Sequence, residues 1–334
     1  MALGWMWKYI GRFGGDPHKI TVMGESAGGG SIEHQITAFG GNYGPAPFRQ
    51  AILQSPGFVP IPDAEQQEQA LQQFLGILGV DNIDEARKLP SHNLIQGNAY
   101  QIGLYSPYGS AIYGPVVDGS FVPELPGKLL LKGNLFKEIN VMVGHNSNEG
   151  LRYTTPASAI PGGYRKYINQ IFPEIQPNVT DTILHGLYPP IYDGTYEYSD
   201  PIGRASLATG DVAFQCNTDY LNRAFGNCTY AYLFSVPPGL HGQDVRYTFY
   251  NGGASKDING KDINATVALK LQDYITSFTL TGEPTSPGGP EFPIHGSDAW
   301  ILNLGNKGFE VKRDLAANPR CAWWQKRLYY QPEH

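Results

Sequence analysis

The sequence predicts an α/β fold in which a mostly parallel central sheet is covered by helices, and three observations carry that prediction. A short run with β-branched residues at 19–24 (KITVMG) leads straight into Gly24-Glu25-Ser26-Ala27-Gly28, and the three glycines 28–30 open a helix-like segment (SIEHQI). A second apolar run at 51–55 (AILQS) follows that helix and a Gly/Pro turn, which makes a βαβ unit. Two more runs, 140–144 (NVMVG) and 230–234 (YAYLF), read as core strands with a mostly helical stretch between them.

The chain opens with Leu3, Met6, Trp7, Ile10 and Phe13, which recur about every 3.6 residues as on one helix face. Gly14-Gly15 ends that helix and Asp16-Pro17 turns the chain. After the first two strands, residues 65–78 place Leu71, Phe74, Leu75 and Leu78 at helical spacing. Residues 151–226 read as mostly helical with proline-rich breaks, covering the sheet and lining one side of a cleft. Residues 264–280 (NATVALKLQDYITSFTL) form a long helix before a Gly/Pro loop at 281–289. No repeat, low-complexity tract or linker divides the chain, so residues 1–334 are read as one domain.

Composition narrows the functions. Hydrophobic residues make up 41% and charged residues 16%, enough to bury a sizeable core and unlike a disordered chain. The formal net charge is -6 and no run of five basic residues occurs, which argues against nucleic acid as a partner. No stretch approaches the roughly 18 apolar residues of a membrane-spanning helix. The opening residues do not form a signal peptide either, because a lysine interrupts their helically spaced apolar positions. Three cysteines, Cys216, Cys228 and Cys321, are too few for a disulfide scaffold. Glycosylation sequons begin at Asn178, Asn227 and Asn264 and, with scarce lysine and abundant Tyr and Asn, they tilt the reading toward a secreted glycoprotein. A Cys216–Cys228 disulfide is one arrangement there, leaving Cys321 free or paired outside this chain; reduced, partly buried thiols are the other.

Gly-x-Ser-x-Gly is a weak pattern as five letters, but a strand before it and a helix start after it make a nucleophile elbow. The flanking glycines let the backbone turn where a Cβ would clash. The helix amino terminus favours negative charge nearby, so Ala27 N–H is the candidate oxyanion donor. The alternative is a Gly/Ser connection with no chemistry. A nucleophilic Ser26 needs a base and an orienting acid. His18 precedes the serine strand and His34 belongs to the following helix, which leaves His241 in the glycine-bracketed PPGLHGQD, with His145 and His295 as rivals. For the acid, Glu149 in HNSNEG competes with Asp118 in PVVDG, whose setting is that of an ordinary turn.

The segment GRFGGDPHKITVMGESAGGGSI closely resembles the carboxylesterase type B family, which includes carboxylesterases, cholinesterases and the larger fungal lipases. FRQAILQSPG, YGPVVDGSFVPELP, VMVGHNSNEG, GLHGQD, LQDYITSFTLTGEPT and NPRCAWW resemble further blocks of that family, in order along nearly the whole chain, with a fungal flavour. The resemblance implies an α/β-hydrolase fold and settles the open choices. The family nucleophile falls on Ser26, the glutamate of its Asp-Glu-Gly block on Glu149 with Asn148 in place of Asp, and its histidine on His241. It also implies that the amino-terminal strands of the sheet, and a glycine-rich loop that completes the oxyanion hole, are absent from this chain.

The expected chemistry is two-step acyl transfer on a small-molecule or lipid ester with an apolar part. Trp5, Trp7, Phe39, Tyr43 and Phe58 are candidates to line its pocket, or simply to fill the core. No metal or organic cofactor is expected, because no Cys/His cluster has ligand spacing and the glycines after Ser26 lack a dinucleotide pattern. Two other classes stay open: an inactive truncated esterase, and a binding or adhesion module. Retention of all three residues argues against the latter. The sequence does not address oligomeric state.

Overall fold

The computed structural model describes residues 1–57, 64–253 and 255–330. Six strands form one sheet in the order β1 (Thr21–Glu25), β2 (Gln50–Gln54), β3 (Asn140–Asn146), β4 (Tyr230–Phe234), β5 (Trp300–Gly305) and β6 (Gly308–Arg313). The first five are parallel and β6 returns antiparallel to β5. The result is an α/β-hydrolase-like fold whose sheet order follows chain order. Every parallel step therefore needs a crossover, and the helices supply it.

Alternation along the strands builds two cores. Ala51, Leu53, Val141, Val143, Ala231 and Ile301 face one way and join Ile32 and Ile36 of helix α2 (Ala27–Ile36). Ile52, Met142, Tyr232 and Leu302 face the other way. Because both faces are covered, the central strands read as continuous apolar runs rather than as alternating ones. The first four strands lie within a residue or two of the predicted runs. The β5–β6 hairpin has no counterpart in the sequence reading: Asn303, Glu310 and Lys312 dilute its apolar pattern, and β6 is a mostly exposed edge.

The opening helix α1 (Ala2–Tyr9) runs on through a 3-10 turn to Gly14, whose left-handed φ of 82° caps it as the sequence predicts. Its apolar stripe is largely uncovered, however: none of its residues is buried, although Leu3 packs against the core. Within the second crossover, between β2 and β3, lie α3 (Ala64–Leu78) and α4 (Ser91–Tyr105), which pack on each other. The 151–226 region is helical as expected. It ends in α5 (Pro201–Gly210), a π-helical turn at Asp211–Gln215, and α6 (Cys216–Ala224). Helix α7 (Ala265–Thr281) starts on the side chain of Asn264, which accepts the N–H groups of Thr266 and Val267, and covers the second face with Val267, Leu271 and Phe278.

The disulfide corrects the sequence expectation. Cys216 pairs with Cys321 of α8 (Pro319–Gln325), at a Cα separation of 5.1 Å, and Cys228 is free and exposed. Cys216 opens α6 and Cys228 lies beyond its far end. Nine helical residues put about 13 Å between the ends, more than the roughly 7 Å that a disulfide spans. The real bond closes a separation of 105 residues. Replacing both Cys216 and Cys321 by alanine is expected to lower the unfolding free energy by about 2–4 kcal/mol, read from urea denaturation under oxidising conditions.

One carboxyl group sits badly in this core. Glu33 of α2 is fully buried and neither carboxylate oxygen has a hydrogen-bond partner. Burial pushes its pKa up to about 8, against the opposing pull of Arg327. The native state thus holds a proton that the unfolded chain releases near 4.5, and stability falls as pH rises from there through about 8. Glu33→Gln is expected to raise the melting temperature by a few degrees at pH above 8 and to leave it nearly unchanged at pH 4.5, read by calorimetry at both.

Candidate active site

Between β1 and α2 stands a single residue, Ser26, with φ 57° and ψ -121°. A side-chain-bearing residue rarely adopts that conformation, so the surroundings must impose it. Ser26 N–H donates to the Gln54 carbonyl at 2.9 Å, and its own carbonyl accepts from Gly30 at 2.9 Å and Gly57 at 3.1 Å. Close approach explains two glycines. A Cβ on Gly24 would lie 2.5 Å from the Gly28 carbonyl carbon, and one on Gly29 would lie 2.8 Å from Pro56 Cα. Gly28, which the pattern pairs with Gly24, has no described atom within 4 Å of where its Cβ would be, so packing does not account for it.

Just past β3, Glu149 opens a 3-10 turn (Glu149–Tyr153) against α5; a Cβ on Gly150 would meet Gly210 N at 2.6 Å. The Glu149 side chain is buried. His241 Nδ1 lies 2.5 Å from its Oε2, while Ser55 Oγ at 2.6 Å and Asn146 N–H at 2.5 Å donate to Oε1. Burial alone would raise this carboxyl's pKa, but these bonds and the His241 charge outweigh it and hold it below the ordinary value. His241 comes from the loop after β4, which a parallel bridge between Asn148 and Leu240 ties to the Glu149 loop. Its Nε2 lies 2.7 Å from Ser26 Oγ. Burial lowers the imidazole's basicity, and the hydrogen bond and charge of Glu149 more than reverse that.

Three residues from three loops thus form one line: serine, imidazole, carboxylate. Their roles agree with Nδ1–H donated to Glu149, which leaves Nε2 to accept the serine proton. Of the rivals, His145 and His295 are buried and each sets its Nε2 at 3.3 Å from Asp314, in a cluster of their own. Asp118 accepts the N–H groups of Ser120 and Val122, the ordinary turn that the sequence suggests.

Around the line stands a polar bed that sequence reasoning missed. Asp244 accepts from Tyr232 at 2.7 Å, Gln54 at 3.2 Å and Asn146 at 3.2 Å. Ser55 and Asn146 could have been flagged because each closes or follows a predicted strand. Asp244 carries no such signal. Glu25 is a further carboxylate beside the imidazole, its Oε1 3.3 Å from His241 Nε2. Burial pushes its pKa up to about 7, opposed chiefly by His241.

Ser26 and Ala27 border an apolar cavity of about 200 Å³ whose walls include Tyr153, Tyr164, Phe172, Phe214 and Trp324. The π-helical turn pushes Val212, Ala213 and Phe214 into it, and the Phe214 ring sits 4.1 Å from the His241 ring. The aromatics offered by the sequence are elsewhere: Trp5 and Trp7 are half-exposed on α1, and Phe39 packs on Tyr43 and Phe121. Phe58 and the terminal His334 lie outside the described residues.

The described residues hold one grouping of metal-type side chains, Asp211 with Cys216 and Cys321. Its sulfurs are joined in the disulfide and its carboxylate is taken by Tyr188 and Arg320, so it is no ligand set. No described helix is long and apolar enough to cross a membrane. Asn178 is exposed, whereas the Asn264 amide is engaged with Asn306 and the Asn227 carbonyl accepts from Asn222.

The profile of the carboxylesterase family matches residues 1–324. The chain is 37% identical over 329 residues to carboxylesterase patB of Penicillium expansum, covering 98% of this chain and 57% of that protein. It is 38% identical over 328 residues to carboxylesterase patB of Aspergillus clavatus, covering 98% and 58%. The chain therefore spans a little over half the length of these curated relatives. The crystal structure of Aspergillus niger EstA superposes with a TM-score of 0.81 at 22% identity, over 97% of this chain and 67% of that one, which is a likeness of fold.

Removing the carboxylate that faces His241 Nε2 takes away an interaction favouring the imidazolium. In Glu25→Gln the His241 titration, followed by NMR, is expected to move to lower pH by about half a unit to one unit.

Proposed function

The chain belongs to the carboxylesterase family, and on that premise we propose that it is a serine carboxylic-ester hydrolase acting through an acyl-enzyme. The observation that carries this reading is the unbroken line from Ser26 Oγ through His241 to Glu149, at 2.7 and 2.5 Å, opening on an apolar cavity. His241 takes the Ser26 proton as Oγ attacks the ester carbonyl, and Glu149 keeps the imidazole in the needed tautomer and stabilises its charged form. Ala27 N–H, among the helix-start donors that have no partner within the helix, faces the developing oxyanion. His241 then protonates the departing alcohol, and water activated by the same imidazole releases the acid. The apolar walls favour a small-molecule or lipid ester with an apolar acyl or alcohol part.

We further place the chain in the type B branch, on the sequence blocks around Ser26, Glu149 and His241. We read it as a secreted protein glycosylated at Asn178, Asn227 and Asn264. The three sequons and a disulfide, a bond that oxidising compartments preserve, support that reading.

The test is reaction of the purified chain with a fluorophosphonate probe. The wild-type chain is expected to label and Ser26→Ala to lose labelling, with hydrolysis of p-nitrophenyl butyrate falling at least about 10⁴-fold. Equal labelling of both would remove Ser26 as the nucleophile. A folded wild-type chain that takes no label would favour the inactive or binding-module readings.

A further inference from the structure

We infer that the cavity beside Ser26 is the acyl subsite and that it selects acyl groups ending in one apolar aromatic ring on a short tether; this rests on Ser26 being the nucleophile. Its walls include Ser26 and Ala27, the attacking residue and the oxyanion donor, but not His241. Phe214 and Tyr153 are walls as well, and both pack on the imidazole, with ring centroids 4.1 and 5.3 Å from it. An acyl group is bonded to the serine oxygen and turns its carbonyl oxygen to the oxyanion donor, whereas the departing alcohol oxygen must reach the imidazole for its proton. The cavity meets the first requirement and, walled by Phe214 and Tyr153, not the second. It therefore holds the acyl side.

Size sets the group. A buried apolar cavity of about 150 Å³ takes benzene. This one, at about 200 Å³, has room for a ring and a tether of one or two carbons. Drug-sized ligands occupy roughly 300 Å³ or more, so a long fatty chain exceeds it. Shape selects further. Small side chains at Ala208, Val212 and Ala213 leave the space open, and the rings of Tyr164, Phe172 and Trp324 bound it. An aromatic group gains edge and face contacts with such rings beyond the burial of its area. A ring on a short tether also loses fewer torsions on entry than an alkyl chain of equal carbon number.

Polar groups on the walls are largely spent on the protein itself. Ser110 Oγ donates to the Pro107 carbonyl and Thr209 Oγ1 to the Ala205 carbonyl, each at 2.8 Å. The Tyr167 hydroxyl donates to the Tyr153 carbonyl at 2.7 Å, and Trp324 Nε1–H to the Tyr188 hydroxyl at 2.8 Å. A carboxylate or hydroxyl on the entering ring would lose its hydration and find these donors taken, which favours an apolar ring. The ring lies away from the reacting carbon, so its burial acts on the whole path from free ester to the acylation transition state. The selection is therefore read in kcat/KM.

The test holds the leaving group constant and compares p-nitrophenyl acetate, hydrocinnamate and nonanoate, the last two acyl groups having equal carbon numbers. On the wild-type chain, kcat/KM for hydrocinnamate is expected to exceed that for acetate about 10- to 100-fold, the effect of burying one phenyl group. It should also exceed that for nonanoate. A second comparison uses two isomers, methyl hydrocinnamate and phenethyl acetate, which carry the ring on the acyl and the alcohol side; the first should be hydrolysed faster. In Val212→Trp, which fills the cavity, the hydrocinnamate-to-acetate ratio is expected to fall about tenfold or more. Nonanoate at or above hydrocinnamate overturns the choice of a ring, and phenethyl acetate at or above methyl hydrocinnamate overturns the acyl placement. An unchanged ratio in Val212→Trp overturns the cavity as the ring's site, and if that variant does not fold the wild-type comparisons decide alone. Fluorophosphonate labelling keeps the two readings apart. A wild-type chain labelled at Ser26 but without these preferences sinks the acyl subsite alone, and one without label at Ser26 sinks both.

Discussion

A buried carboxylate that must stay charged organises this molecule. Glu149 is 1% exposed, and an isolated charge at that depth would be strongly unfavourable. It is tolerated because donors converge on it from three neighbouring strand ends: Ser55 after β2, Asn146 at the end of β3, and His241 after β4. None of these donors is near another in sequence, so their meeting requires the parallel register of β2, β3 and β4. The sheet can thus be seen as the frame that satisfies one ion, and the imidazole that reaches Ser26 is one of the ion's partners.

The remaining architecture divides between holding and shaping. Gln54 of β2 and Tyr232 of β4 both donate to Asp244, which holds the turn after His241 against the sheet. The helical region between β3 and β4 shapes the space above it. There the π-helical turn at Asp211–Gln215 carries Phe214, whose ring lies against His241. The Cys216–Cys321 bond begins at the next residue, and α8 carries the cavity residue Trp324. Backbone irregularity and covalent anchor are adjacent, so the cavity wall is fixed where its geometry departs from an ideal helix.

What could be read in the sequence follows the range of the interactions involved. The Ser26 elbow is local: a strand, a tight turn at Gly24 and a helix start are all signalled within ten residues. Buried parallel strands were legible because both faces are covered, which leaves continuous apolar runs. The β5–β6 hairpin was not, because its outer strand is exposed and charged. Choosing His241 over His145 and His295 needed resemblance to a family, since all three follow or flank apolar segments. Only their partners, Glu149 for one and Asp314 for the other two, tell them apart, and those partners are distant in sequence. The disulfide failed for the same reason. Proximity along the chain suggested Cys228, but a helix lies between it and Cys216.

The long range of the site has a kinetic side. Ser26 and His241 are 215 residues apart, and His241 and Glu149 are 92 apart. Closing loops of that length costs entropy that no local contact repays, so these groups cannot meet in a partly collapsed chain. They come within bonding distance only when β1 to β4 are aligned side by side. During refolding, the appearance of a reactive serine would therefore mark the completion of the sheet, and the site would act as a clock for the folding of the frame that carries it.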